Sequence, residues 1–365
     1  MRAVISALFA VIAVLLFTCV RCYAQEPDFG KESLYDALPE EAREMLDESG
    51  ITPDGGAGSV GIGEILRAIG DAFAENADKP LKMFAAVTAV ILLSAVLAGA
   101  SDAAGMNSGV YGLVTSAAAA AVISAYLADI TETAQTAFNA ASDFMLVYVP
   151  VMAGVTAAGG HTASAAVFSS VTLTAIQVLS RLISSAVIPL TSCIIGITAA
   201  GSIDPELHLD RLCDGIKKFV VWGLGLIMTL FLGILSVQSM ITASADGAAM
   251  KTLKFAVSSA VPIVGGAVSD ALNTVSGSLI LLRSGIGGFG IAAGVCVMLP
   301  AFAAAVSCKF LLFAAGVVSD LFGCETAGRM IRSGENAMTV VLAALACVFT
   351  FITVSSGILL AFCRS

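Results

Sequence analysis

The chain has 365 residues, 58% of them hydrophobic and only 12% charged, with a mean hydropathy of +0.95 and a net charge of −9. A soluble globular domain carries about 25% charged residues, so the composition argues against one and points to an all-α, polytopic helical membrane protein. The acidity is local: residues 25–79 hold fourteen acids against four bases, residues 80–365 thirteen against twelve, which argues against nucleic acid as a partner of that segment.

The start, "MRAVISALFAVIAVLLFTCVRCYAQ", has Arg2, an apolar run and small residues before Gln25. It predicts a signal peptide over 1–24, cleaved after Ala24, with an uncleaved anchor as the alternative. Cys19 and Cys22 form a C-x-x-C inside this run, and the other seven cysteines lie in or near apolar runs at irregular spacings. Sulfurs acting as small apolar side chains explain them better than a metal or disulfide framework, and no cofactor is expected.

Residues 25–79 read as a short acidic polar segment and linker. Leu34, Leu38, Met45 and Leu46 recur among acids, as in short amphipathic helices, with Pro39 at a first turn before "EEAREML". "ITPDGGAGSVGIG" (51–63) reads as a flexible linker. In 64–78, Ile65, Leu66, Ile69 and Phe73 share one face, suited to a membrane surface.

Residues 80–365 form the polytopic membrane domain. Spans are expected near 82–100, 110–128, 144–160, 163–200, 219–240, 286–318 and 337–362, or six to eight crossings. The 163–200 and 286–318 runs exceed one simple crossing, and Pro189 and Pro300 are candidates to divide or kink them. Small residues such as Gly290 and Gly294 suit a tightly packed bundle.

Two polar stripes interrupt these runs. Asp129, Glu132, Thr136, Asn139 and Asp143 recur every three or four residues, the wet face of an amphipathic helix. Ser170, Thr174, Gln177, Arg181 and Ser184 do the same in an apolar run, an intramembrane polar stripe in which Gln177 and Arg181 stand out. A charge at membrane depth costs a few kcal/mol, so Arg181 should face the bundle interior or water, or else sit at an interface between two short helices. Orientation stays open. Lys217 and Lys218 mark one loop as cytoplasmic, and one crossing later Lys251 and Lys254 mark the opposite side.

That conflict eases if residues 245–283 are partly embedded, as a re-entrant or an interfacial amphipathic element. Read as helices, 246–261 puts Lys251, Lys254 and Ser258 on one face, and 267–283 puts Asp270, Thr274 and Gly277 on one face. "PIVGG" between them supplies a residue without a backbone donor and two glycines free of φ restriction.

This stretch, "ADGAAMKTLKFAVSSAVPIVGGAVSDALNTVSGS", closely resembles the signature of the stage III sporulation protein AE family. The matching residues are Asp246 and Gly247, Lys251 and Thr252, Lys254 and Phe255, Pro262, Gly265 and Gly266, and Ser269, Asp270 and Ala271. The specific match covers roughly 240–290; the N-terminal third agrees only in character. The resemblance implies a component of the sporulation envelope complex, in the mother-cell membrane around the forespore. It implies partnership with other stage III sporulation proteins and a forespore membrane partner, in a channel or secretion-like conduit that supports forespore development. Membrane lipid is a further expected partner, and a homo-oligomer is compatible with the sequence. The motif residues become candidates for channel or partner contact.

An enzyme is not expected. His161 and His208 are the two histidines, in different segments, and there is no H-E-x-x-H, G-x-S-x-G or P-loop. "GIGGFG" (285–290) matches G-x-G-x-x-G literally but opens an apolar span, so glycine packing explains it better than a dinucleotide. Asp246 and Asp270 are two membrane-level carboxylates without a protease motif. The alternative function is a secondary transporter for a small solute, since such folds use broken helices and intramembrane charges.

Overall fold

The computed structural model describes residues 31–52, 62–104, 108–201, 209–260 and 265–361. Among these residues the chain is all-α, without a strand. The helices are α1 (Lys31–Asp36), α2 (Glu40–Glu48), α3 (Ile62–Asn76), α4 (Asp78–Ala104), α5 (Ser108–Ala158), α6 (Thr162–Leu182), α7 (Ile188–Ala200), α8 (Leu209–Ala260), α9 (Gly265–Leu321) and α10 (Glu325–Ala361). Six stretches are long and apolar enough to cross a membrane: Ile69–Val96, Ala117–Ala158, Thr162–Ala200, Arg211–Ala248, Gly285–Leu321 and Ala327–Ile358. The signal-peptide reading of 1–24 and most of the 51–63 linker fall outside the described residues.

The acidic segment folds as its periodicity predicts. Leu34, Leu38, Ala42, Leu46 and Ile51 are buried and join the core of the membrane bundle, leaving the acids of α1 and α2 outward. Glu40 and Glu41 sit in the first turn of α2, where the helix dipole favours negative charge. The Tyr35 hydroxyl hydrogen bonds to Asp47, and Arg43 lies over the Tyr35 ring at 5.7 Å. The hydrogen bond to Asp47 favours the protonated phenol and holds the Tyr35 pKa above the usual tyrosine range.

One expectation for the membrane part is corrected, and for Pro189 and Pro300 the dividing alternative is ruled out. Residues 110–128 and 144–160 are not separate spans but parts of the 51-residue α5, because the polar stripe between them contains no helix breaker and changes only one face. Pro189 does not end the 163–200 run. A π turn, Ile183–Val187, precedes it and α7 continues, the wider turn easing the crowding of a proline ring against the carbonyl four residues back. Pro300 lies within the continuous α9, so 286–318 is not divided either.

Turns join neighbours where glycine supplies left-handed backbone. Gly160 (φ 89°) closes the α5–α6 turn, where the His161 N–H donates to the Thr156 carbonyl at 3.2 Å. Gly323 (φ 70°) does the same between α9 and α10, where the Cys324 N–H donates to the Ser319 carbonyl at 3.0 Å.

The core is packed as the small residues suggest. A Cβ on Gly290 would lie 2.1 Å from the Tyr148 ring of α5, and one on Gly294 would lie 2.7 Å from Ile352 of α10. The glycines of the "GIGGFG" run and the next turn therefore admit an aromatic ring and a branched side chain from neighbouring helices. Cys213, Cys296, Cys308 and Cys347 are buried free thiols, filling space as apolar groups.

Candidate functional site

The motif begins on a buried carboxylate. Asp246 of α8 is 2% exposed, and α6 starts against it. The Ala163 N–H donates to Asp246 Oδ1 and the Ser164 N–H to Oδ2, both at 3.0 Å. The first N–H groups of a helix have no partner within it, and they carry the positive end of its dipole. Asp246 supplies both acceptors and the opposite charge, from 83 residues away in sequence. His161, at the N-cap position, contributes no capping bond of its own; its Nδ1 lies 3.8 Å from Asp246 Oδ2. The first motif acid thus ties α8 to the α5–α6 turn.

Beyond it the motif faces outward. Gly247, Lys251 and Thr252 are exposed on α8, and the Thr252 hydroxyl donates to the Ala248 carbonyl at 2.9 Å. Lys254 and Phe255 continue α8, Gly265 and Gly266 open α9, and Asp270 follows in α9. Pro262 lies outside the described residues, as do the side chains of Lys254, Phe255 and Asp270. The 246–261 and 267–283 pieces are not free-standing sixteen-residue helices. Each extends a long one, α8 of 52 residues and α9 of 57, which end and begin on either side of the expected break.

A second polar cluster joins three helices. Lys217 Nζ of α8 donates to Asp214 Oδ1 at 3.0 Å and to Asn336 Oδ1 of α10 at 2.6 Å. Asn336 Nδ2 donates to the same Asp214 oxygen at 2.9 Å, closing a triangle. Lys309 of α9 donates to Thr339 Oγ1 at 2.9 Å, and that hydroxyl donates to the Glu335 carbonyl at 2.7 Å. Lys217, Lys309, Glu335 and Asn336 are all partly buried. Near the α9–α10 turn, Arg332 pairs with Asp320 at 3.4 Å on the surface.

Reading the sequence missed this cluster. Lys217 reads as a loop charge, and no motif or stripe singles out Lys309. The available signal was Lys309 itself, since an intramembrane charge needs a named partner. Its partner lies 30 residues on, across a turn.

The two stripes face outward. Glu132, Thr136, Asn139 and Asp143 of α5 are exposed, as are Ser170, Thr174, Gln177, Arg181 and Ser184 of the α6 run. Asp129 is half-buried and pairs with Lys79 at 2.9 Å. The bundle interior, one of the places expected for Arg181, is not where the chain puts it. Nor does Arg181 lie between two short helices, because α6, the π turn and α7 run on as one. Among the described residues, no three His, Cys, Asp or Glu side chains gather as a metal site would require.

Compared with known proteins, the chain matches the family profile described as Stage III sporulation protein AE over residues 51–362. It is 27% identical over 161 residues to a Bacillus subtilis (strain 168) protein named Stage III sporulation protein AE. That alignment covers 44% of this chain and 40% of the relative, so it spans about two fifths of the relative's length. No solved structure matches.

Proposed function

Because this chain belongs to the stage III sporulation protein AE family, we propose that it is a membrane component of a multi-protein envelope complex between mother cell and forespore. The complex acts as a channel or secretion-like conduit that supports forespore development. The chain sits in the mother-cell membrane around the forespore, targeted there by its N-terminal 24 residues as a signal peptide or anchor. The observation that carries this reading is the family match across residues 51–362, together with six helices able to span a membrane. The family name carries no enzyme class.

In this reading the motif works as an anchored arm. Asp246 holds α8 on the α5–α6 turn, and the exposed Lys251 and Thr252 present a polar surface beyond that anchor to another stage III protein. Lys254, Phe255, Pro262, Gly265, Gly266 and Asp270 are the remaining motif residues, candidates for channel or partner contact.

The test is complementation in a spore-forming host that lacks the gene. Wild type should restore heat-resistant spores and co-purify with other stage III proteins. Lys251→Glu with Lys254→Glu should reach normal levels in the membrane yet lose both. Full sporulation with the double variant would remove the motif surface from the reading. The transporter alternative draws on the partly buried Lys217 and Lys309 cluster. Solute uptake by the purified chain alone in liposomes would favour it over a complex component.

A further inference from the structure

The molecule turns two kinds of face outward. On α8, Trp222, Leu226, Leu230, Ile234, Val237 and Ile241 follow one another at three- and four-residue steps, each between 44% and 66% exposed. Hydrocarbon satisfies such a face completely, because it carries no polar side chain.

The outer face of α5 and α6 cannot be satisfied that way. The hydroxyls of Thr136, Ser170 and Thr174 on it are bonded within their own helix, to the Glu132, Val167 and Ser170 carbonyls. The long polar groups are not. Among the described residues, the side chains of Asn139, Asp143, Gln177 and Arg181 have no hydrogen-bond or ion-pair partner. Lipid offers these groups nothing, and each would cost a few kcal/mol at depth.

Their arrangement specifies what covers them. Copies of one chain share one orientation in a membrane, so they are related by rotation about its normal. A group can then meet only groups at its own depth. Asp143 and Gln177 both lie 17 residues from Gly160 at the α5–α6 turn, and Asn139 and Arg181 both lie 21 residues from it. The two helices run antiparallel from that turn, so an acid and two amides share the depth of a guanidinium to within four residues, about 6 Å. An unrelated partner would need no such match within this chain.

We propose that the polar faces of α5 and α6 form the seam by which a second copy of this chain docks, α5 of one copy against α6 of the next. Asp143 and Asn139 of one copy take Arg181 and Gln177 of the other, with charge-assisted hydrogen bonds at the centre. The seam requires that these helices span a membrane; it does not depend on whether the assembly conducts.

Two measurements on the full chain in sporulating-cell membranes test it. In the first, a chain carrying Asp143→Cys and one carrying Gln177→Cys, both otherwise free of cysteine, are expressed together and oxidised. A disulfide-linked dimer of twice the chain mass is expected, with none from Trp222→Cys or Leu230→Cys on α8. No dimer at the seam, equal dimer at the α8 positions, or a product joined to a different protein would overturn the proposal. The second keeps the native cysteines and uses two differently tagged copies. Arg181→Asp and Asp143→Arg should each abolish co-purification of the second tag, and the double variant should restore it. Unchanged single variants, or a double variant as deficient as the singles, would also overturn it. Restoration is the result that mere structural damage would not give.

Discussion

Charge is held in two different ways in the membrane half of this molecule. Between its helices, Asp246 meets two helix N–H groups, and the partly buried Lys217, Asp214 and Asn336 close a triangle across α8 and α10. On the outer face of α5 and α6, Asn139, Asp143, Gln177 and Arg181 project without a partner among the described residues. The contrast separates two uses of the same expensive chemistry. The charges between helices are completed by the chain itself and tie α8 to α6 and to α10. The outer polar groups have no such completion among the described residues, and the proposed second copy would supply it.

Breaking the interior side should cost stability, most of all at Asp246. Replacing it by Ala removes two charge-assisted bonds at a buried helix N-terminus, a loss of about 2–3 kcal/mol. Thermal unfolding of the purified chain in detergent reads this directly, and Asp246→Asn, which keeps one acceptor, should lose less. An Asp246→Ala chain as stable as wild type would mean that water caps α6 equally well.

Lys217→Ala comes next. It leaves Asp214 and Asn336 facing each other without the cation. Because Asp214 is about half exposed, the loss should be smaller, about 1–2 kcal/mol. The expected signature is a lowered unfolding temperature that Lys217→Arg partly recovers.

The smallest effect on stability belongs to the outer face. Arg181→Gln should change the stability of the isolated chain by less than about 0.5 kcal/mol. It should nevertheless weaken association between copies in the membrane, measured by co-purification of two tags. A large loss of stability at Arg181 would erase the distinction, because that residue would then belong to the chain's own scaffold.

Much of the architecture could be read directly from residue order. The long apolar runs called for membrane helices, and the recurrence of Leu34, Leu38 and Leu46 called for amphipathic ones; those three leucines are buried. The glycines at 290 and 294 read as close-packing positions, and Tyr148 and Ile352 occupy the space they leave. The 246–271 signature pointed to the family to which residues 51–362 belong. Segmentation was less legible. Polar residues at 129–143 looked like a boundary because a span is recognised by average hydropathy, whereas a helix needs only one continuous apolar face to keep going.

What the sequence determined by itself is local: which stretches are helical, which face of each is apolar, and where glycines such as those of "PIVGG" free the backbone. These follow from spacing within about 3.6 residues per turn and from φ restrictions, which any short segment carries with it. Only the tertiary structure decided that Asp246 caps a helix that starts 84 residues earlier, that Lys217 reaches Asn336 across 119 residues, and that Arg181 faces out rather than in. Those outcomes depend on which helices become neighbours and at what depth they meet. That choice is made by burying the whole set of apolar faces at once, so no single segment encodes it.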